Sequence, residues 1–259
     1  MTATGPQFIT SAGSALLKDL RRLAQDSTAY RKQGRIWLEG DHLCRAALAR
    51  RVVPALAVFC RSLWEEAGHQ WPDLGARSVV VADALFASLS GLDSPGRMGF
   101  VLDLPAAAQM QPGSPSVILD RLQDAGNVGA ILRCAAAFGF RQVLAMKGTA
   151  ALWSPKVLRA GMGAHFGLHL VEGLEPAALD ALHVPIVATS SHAGEWLHQA
   201  ALPWPCAWAL GHEGQGLGDE IASRAGMAVR IVQPGGEESL NVAAAAAICL
   251  HASAVQRLG

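Results

Sequence analysis

The sequence predicts an α/β protein whose C-terminal half is a mostly parallel sheet with helices on both faces. Three observations predict it. Past residue 115, short apolar runs alternate with helix-patterned segments, the signature of β-α units. Two strand-to-loop-to-helix junctions follow one another closely between Leu210 and Val242. The first of their loops, Gly211-His212-Glu213-Gly214-Gln215-Gly216, is rich in glycine, which tolerates positive φ and lets a ligand approach the backbone. Two such loops share one edge of a parallel sheet, and that edge is where ligands bind in open α/β folds.

In chain order, Leu16, Leu17, Leu20 and Leu23 recur at helical spacing with basic residues between them, so 14–25 is predicted helical. Ile36 to Glu39 reads as a strand, and Asp41 as the cap of a helix through about Arg50. Ala55–Phe59, Val79–Val81 and Met98–Leu102 are further strands, with a short helix at Asp83–Phe86. This is a small mixed α/β domain, 1–105. Residues 106–115 (AAAQMQPGSP) are aperiodic with two prolines and read as a linker.

The second domain is 116–259. Its strands are Val117–Leu119, Gln142–Met146, Phe166–Val171, Pro185–Thr189, Cys206–Leu210 and Met227–Val232. Its helices are Asn127–Phe138, Pro155–Ala160, Pro176–Leu182, a short polar helix after Gly218, and an alanine-rich helix opening at Ser239 or Leu240.

Composition narrows the function. Half the 259 residues are hydrophobic, enough for a sizeable core, and Lys+Arg balances Asp+Glu at 21 each. Net charge therefore does not favour nucleic acid, but its distribution does. Through Arg61 there are ten Lys/Arg against four acids, a basic segment suited to phosphate contact or to a solvated helix surface. Five cysteines without paired spacing read as reduced thiols of a cytoplasmic protein. No signal-peptide pattern, transmembrane-length apolar run or metal-binding helix pattern is visible, so neither membrane nor metal is expected.

Polar residues at the junctions carry the chemistry. Asn127 is placed to cap its helix or to serve a site, and Ser239 has the same two readings. Asn241 is a mediocre helix former and less easily assigned to structure. Arg133 sits among Ile131, Leu132, Cys134 and Ala135, six residues past Asn127, where an arginine is expected to be paired or ligand-facing.

The three junctions resemble the three motifs of the SpoU/TrmH-type RNA ribose 2′-O-methyltransferases of the SPOUT superfamily. Asn127-Val128-Gly129-Ala130-Ile131-Leu132-Arg133 with Ala137-Phe138-Gly139 is similar to the first. Leu210 through Leu217 is similar to the second, and Ile231 with Ser239-Leu240-Asn241-Val242 to the third. Residues 18–48 resemble, more loosely, the small substrate-binding domain that many members carry. The chain departs from the pattern at Ala125, where proline is usual, at Gly161, where serine is frequent, and at His212.

The resemblance implies a trefoil-knotted methyltransferase domain with S-adenosylmethionine bent in the knot. It implies a homodimer in which the first-motif arginine reaches the partner's cofactor. Carried over by position, Asn127, Arg133, Glu213, Ser239 and Asn241 form the catalytic polar set. Leu210, Gly211, Gly214, Ile231 and Leu240 are the cofactor contacts. The expected substrate is RNA, large-subunit rRNA before tRNA. A non-catalytic RNA-binding or ribosome-assembly protein of the same fold is the alternative. A dinucleotide-dependent oxidoreductase would need its glycine fingerprint after the first strand, where DAGNVGA stands. A serine hydrolase would need a nucleophile elbow around Ser239, which is lacking.

Overall fold

In the computed structural model, which describes residues 5–71, 74, 77–91, 94–190, 193–235 and 240–258, the elements follow in chain order. They are β1 (Gln7–Ile9), α1 (Ala15–Gln25), α2 (Ala29–Gln33), β2 (Arg35–Glu39), α3 (Asp41–Ala49), β3 (Leu56–Cys60) and α4 (Arg61–Ala67). Next come β4 (Arg77–Val81), α5 (Asp83–Ala87), β5 (Met98–Asp103), β6 (Ser116–Leu119), α6 (Ala125–Ala137) and β7 (Gln142–Met146). Then follow α7 (Pro155–Gly161), β8 (His169–Leu174), β9 (Ile186–Thr189), β10 (Glu195–Trp196), β11 (Ala207–Leu210), α8 (Asp219–Ala222), β12 (Met227–Arg230) and α9 (Val242–Leu258).

Two compact units result: 1–106 with 153–166, and 107–152 with 167–259. The first contains a five-stranded mixed sheet in the order β1-β4-β3-β5-β2, with β2 and β3 antiparallel to β5. Leu17, Leu20 and Leu23 of α1 are buried as their spacing required. Asp41 is not the cap of α3. Gly40 occupies that position at φ 95°, and Asp41 lies in the first turn, paired with Arg45 at 2.9 Å.

Residues 153–166, which sequence order assigns to the second domain, pack with the first unit instead. There α7 lies against β2 and α1. Gly163, at φ +86°, sits so near Ala46 that a Cβ on it would lie 2.6 Å from the alanine methyl. Residues 106–115 carry no helix or strand, yet they are not a free linker. Gln111 N donates to Gln142 Oε1 at 2.7 Å, and Ala108 and Met110 pack on the second unit's core.

The second unit is built on a seven-stranded sheet, β10-β12-β9-β11-β6-β7-β8, in which every pair is parallel. Side chains alternate across it as strand geometry demands. Ala207 and Ala209 of β11 join Ile118, Leu144 and Ile221 in the core on one face. Trp208, fully buried, donates its indole N–H to Ser253 Oγ of α9 at 2.9 Å. Helices α6 and α9 pack on each other, α6 against β6 and β7, and α9 against β11. The expected strand at Phe166 begins only at His169, because Ala164–Gly167 winds into a 3₁₀ turn.

From β6 the order runs to β7 and β8 on one side, and to β11, β9, β12 and β10 on the other. The direction of winding thus switches between β6 and β11, which makes their C-terminal ends a natural crevice.

Candidate functional site

The first loop at this crevice leads from β6 into α6. Asp124, not Asn127, caps that helix: Asn127 N donates to Asp124 Oδ1 at 2.7 Å. The misassignment has a simple origin, since both residues are good caps and only the helix start distinguishes them. Its consequence is functional, because the Asn127 side chain is released from capping.

The third junction loop supplies its partner. Asn241 Oδ1 accepts from Ala243 N at 3.0 Å and Ala244 N at 3.2 Å, capping α9 where Ser239 was the candidate. Ser239 itself lies outside the described residues. Because the Asn241 carbonyl is engaged, its amide must act as donor, and Nδ2 donates to Asn127 Oδ1 at 2.9 Å. Asn127 Nδ2 in turn donates to Glu213 Oε1 at 3.3 Å. A directional chain, Asn241 to Asn127 to Glu213, thereby ties the loops after β12, β6 and β11 together.

The second loop is a small hairpin. His212 N donates to Gly216 O at 3.0 Å, Gly216 N to His212 O at 2.8 Å, and Gly214 N to His212 Nδ1 at 3.0 Å. Gly216 turns at φ +68°. At Gly211 a Cβ would overlap the Gly216–Leu217 peptide, so glycine is required there for the hairpin to close.

Between this hairpin and α9 lies a cavity of about 340 Å³, lined by Gly211, Glu213, Ile231, Gln233, Leu240 and Asn241 among others. Of the expected cofactor contacts, Gly211, Ile231 and Leu240 line it. Leu210 is fully buried at the end of β11, and Gly214 lines an adjoining cavity of about 680 Å³. Sequence reasoning missed Thr189 and Ser190, at the end of β9, and Gln233. A signal existed for the first two, since β9 was expected to end at the same sheet edge. Gln233 Oε1 is buried and has no hydrogen-bond partner among the described residues. Cys249 also borders the cavity, where burial pushes its thiol up to about 12. It therefore stays protonated and poorly nucleophilic at neutral pH.

Arg133 stands apart. It is exposed on α6 and makes no side-chain hydrogen bond or ion pair among the described residues. Of the two expectations for it, paired or ligand-facing, pairing is not met among the described residues, because its apolar neighbours in sequence point to other sides of the helix. Six residues on from Asn127, it lies about 9 Å further along the axis and roughly 120° around it. It does not join the polar chain or line the cavity.

A cavity at the C-terminal ends of β9, β11 and β12, walled in part by glycine and bordered by a polar chain, defines a small-ligand site of the α/β class. Residues 114–251 match the SpoU rRNA Methylase family, and the chain belongs to it: it is an RNA methyltransferase. An uncharacterised tRNA/rRNA methyltransferase of Synechocystis sp. is 32% identical over 254 residues, covering 94% of this chain and 92% of that one. The 23S rRNA (guanosine(2553)-2′-O)-methyltransferase of Bacillus subtilis is 26% identical, over 94% of this chain and 97% of its own. Among solved structures, an AdoMet-bound rRNA methyltransferase from Sinorhizobium meliloti superposes with a TM-score of 0.83 at 26% identity, over 98% of each chain. Among the described residues no helix is long and apolar enough to cross a membrane, and no cluster of three or more His, Cys, Asp or Glu is placed to hold a metal.

Proposed function

We propose that this enzyme transfers a methyl group from S-adenosylmethionine to a ribose 2′-oxygen of RNA, with ribosomal RNA, most simply of the large subunit, as its substrate. The carrying observation is the Asn241–Asn127–Glu213 chain at the mouth of the glycine-walled cavity, in a member of the SpoU family. The relatives named for rRNA support the substrate, and the AdoMet-bound neighbour supports the cofactor. The residues present also fit that cofactor. Gly211 stands in the cavity wall, Ile231 and Leu240 offer apolar walls, and Gln233 Oε1, without a partner among the described residues, accepts from a donor such as an amino group.

S-adenosylmethionine supplies an electrophilic sulfonium methyl when bound. The chain's own residues orient and stabilise around it. The polar chain fixes the three loops in one arrangement, and holding the reacting groups in line lowers the barrier of a displacement. Arg133 contributes a planar cation with five N–H donors and no acceptor. It therefore clamps phosphate and the developing oxyanion by charge-assisted hydrogen bonds, and the hydroxyl proton leaves to water.

Since Arg133 does not line its own protomer's cavity, we place it opposite the cavity of a second subunit. The apolar side chains that α9 exposes, Ile248, Val255 and Leu258, suit such a homodimer. A C-terminal trefoil knot, an N-terminal RNA-binding domain and a cytoplasmic setting complete the proposal. The five free thiols are compatible with a reducing compartment.

Ribose-methylation mapping of RNA from a gene-deletion strain tests this. One or a few rRNA 2′-O-methyl sites should vanish and return on complementation, and purified enzyme should restore them with S-adenosylmethionine alone. Methyl transfer to a base, or sites lost from tRNA instead, would overturn the assignment of atom or of substrate respectively.

A further inference from the structure

We infer that Asp120 and Arg121, outside the three sequence motifs, are positioning residues that set the Gly211–Gly218 hairpin for cofactor binding. The inference rests on the cofactor reading above.

Asp120 directly follows β6 and is 3% exposed. A buried carboxylate needs partners, and three donors supply them: Arg121 Nε to Oδ1 at 2.9 Å, Arg121 Nη2 to Oδ2 at 3.0 Å, and Gly218 N to Oδ2 at 2.7 Å. The last joins the base of the hairpin directly to the strand across the switch point. Arg121 continues the link, donating from Nη1 to Gln215 Oε1 at 3.1 Å and from Nη2 to Gly216 O at 3.5 Å.

Two details mark this as a built arrangement. Arg121 holds φ +58°, a left-handed conformation that a non-glycine residue adopts only when its surroundings enforce it. Here Arg121 N donates to Thr149 Oγ1 at 3.1 Å, and that hydroxyl donates to Leu119 O at 2.9 Å. Opposite, Gly218 leaves room for the guanidinium, since a Cβ on it would lie 3.1 Å from Arg121 Nη2.

Among the described residues, side chains outside the hairpin that hydrogen-bond to residues 211–217 number two: Arg121 on one side and Asn127 on the other. The face toward Asn127 carries Gly211 and Glu213 to the cavity. The opposite face depends on the Asp120–Arg121 pair. Weakening that pair frees the hairpin to shift, and bound-state geometry must then be restored from binding energy.

The test compares wild type with Arg121→Lys, Asp120→Asn and Gln215→Ala, the last being mild and surface-exposed so that folding is preserved. S-adenosylhomocysteine affinity is measured by calorimetric titration, rRNA affinity by filter binding, and single-turnover methyl transfer at saturating S-adenosylmethionine. Loss of a charge-assisted bond should raise the S-adenosylhomocysteine dissociation constant about tenfold in Arg121→Lys and Asp120→Asn, and about threefold in Gln215→Ala. RNA affinity and the saturated rate should stay within about threefold, a split that general destabilisation does not produce. Dissociation constants within twofold of wild type in Arg121→Lys and Gln215→Ala would overturn the inference. So would a parallel loss of RNA affinity in the same variants. Wild-type protein that binds no S-adenosylhomocysteine overturns the cofactor reading, and this inference with it.

Discussion

On the proposed reading, Asn127 and Asn241 hold the site and Arg133 acts on the substrate, so their substitutions should separate accordingly. Arg133 is exposed and bonds to no described side chain, so Arg133→Ala removes no folding contact. Single-turnover transfer should fall by roughly 10²-fold or more, the scale for losing a donor aimed at developing negative charge. S-adenosylhomocysteine affinity should stay near wild type, because the cavity is built elsewhere. Near-normal turnover would rule out the clamp, and a monomeric or unfolded variant would make Arg133 a structural residue. Asn241→Ala should behave otherwise. It removes the acceptor for Ala243 N and Ala244 N at the start of α9, worth about 1 kcal/mol of stability, and also the donor to Asn127. Thermal midpoint, cofactor affinity and rate should therefore all fall together. An Asn241→Ala protein with unchanged affinity would show that the polar chain is not part of the binding arrangement.

At the level of elements, the parallel sheet was legible because each of its long strands is an apolar run between turn residues, as in Gln142–Met146, which the strand fills from end to end. Strands β1 and β10 were not, since three and two residues at a sheet edge leave no periodicity to read. Nor could local pattern reveal that 153–166 packs with the first unit, a choice made by side chains such as Ala46 far away in sequence. The site shows the same division. Its glycines and polar residues were visible at the junctions, but the cap assignments were not, because Asp124 and Asn127 are equivalent in propensity. Helix α9 carries a further consequence of position. Ile248, Val255 and Leu258 are exposed at 41, 52 and 86% and recur at i, i+7 and i+10, one stripe of the helix. If that stripe joins two copies, Ile248→Asp combined with Val255→Asp should shift sedimentation from dimer to monomer. Transfer should be lost with it while the protomer stays folded. A wild-type monomer that transfers methyl groups at full rate would overturn the shared-site reading.

For the molecule as a whole, neutrality conceals a segregation of charge, and the proposed RNA-binding role of the first unit makes RNA affinity the property to test there. Lys18, Arg22, Arg50, Arg51 and Arg61 are exposed and make no side-chain hydrogen bond or ion pair among the described residues. By contrast, Arg45 is held by Asp41 and Arg35 by Asp103. Cations without protein partners are the ones free to neutralise phosphates. Deleting residues 1–105 is a poor test of this, because it would strip 153–166 of the sheet and helix they pack on. Neutralising Arg50→Gln together with Arg51→Gln leaves the core untouched. If both contact phosphates, the slope of log affinity against log salt should lose roughly 1.4 to 1.8 in magnitude, each contact contributing about 0.7 on single strands and 0.9 on duplex. S-adenosylhomocysteine affinity should not change, since the cavity lies wholly within the second unit. Filter binding across a salt series, with calorimetry on the same preparations, measures both. An unchanged slope would reduce this pair to solvated surface, and a matched loss of cofactor affinity would tie the basic segment to the integrity of the second unit rather than to RNA.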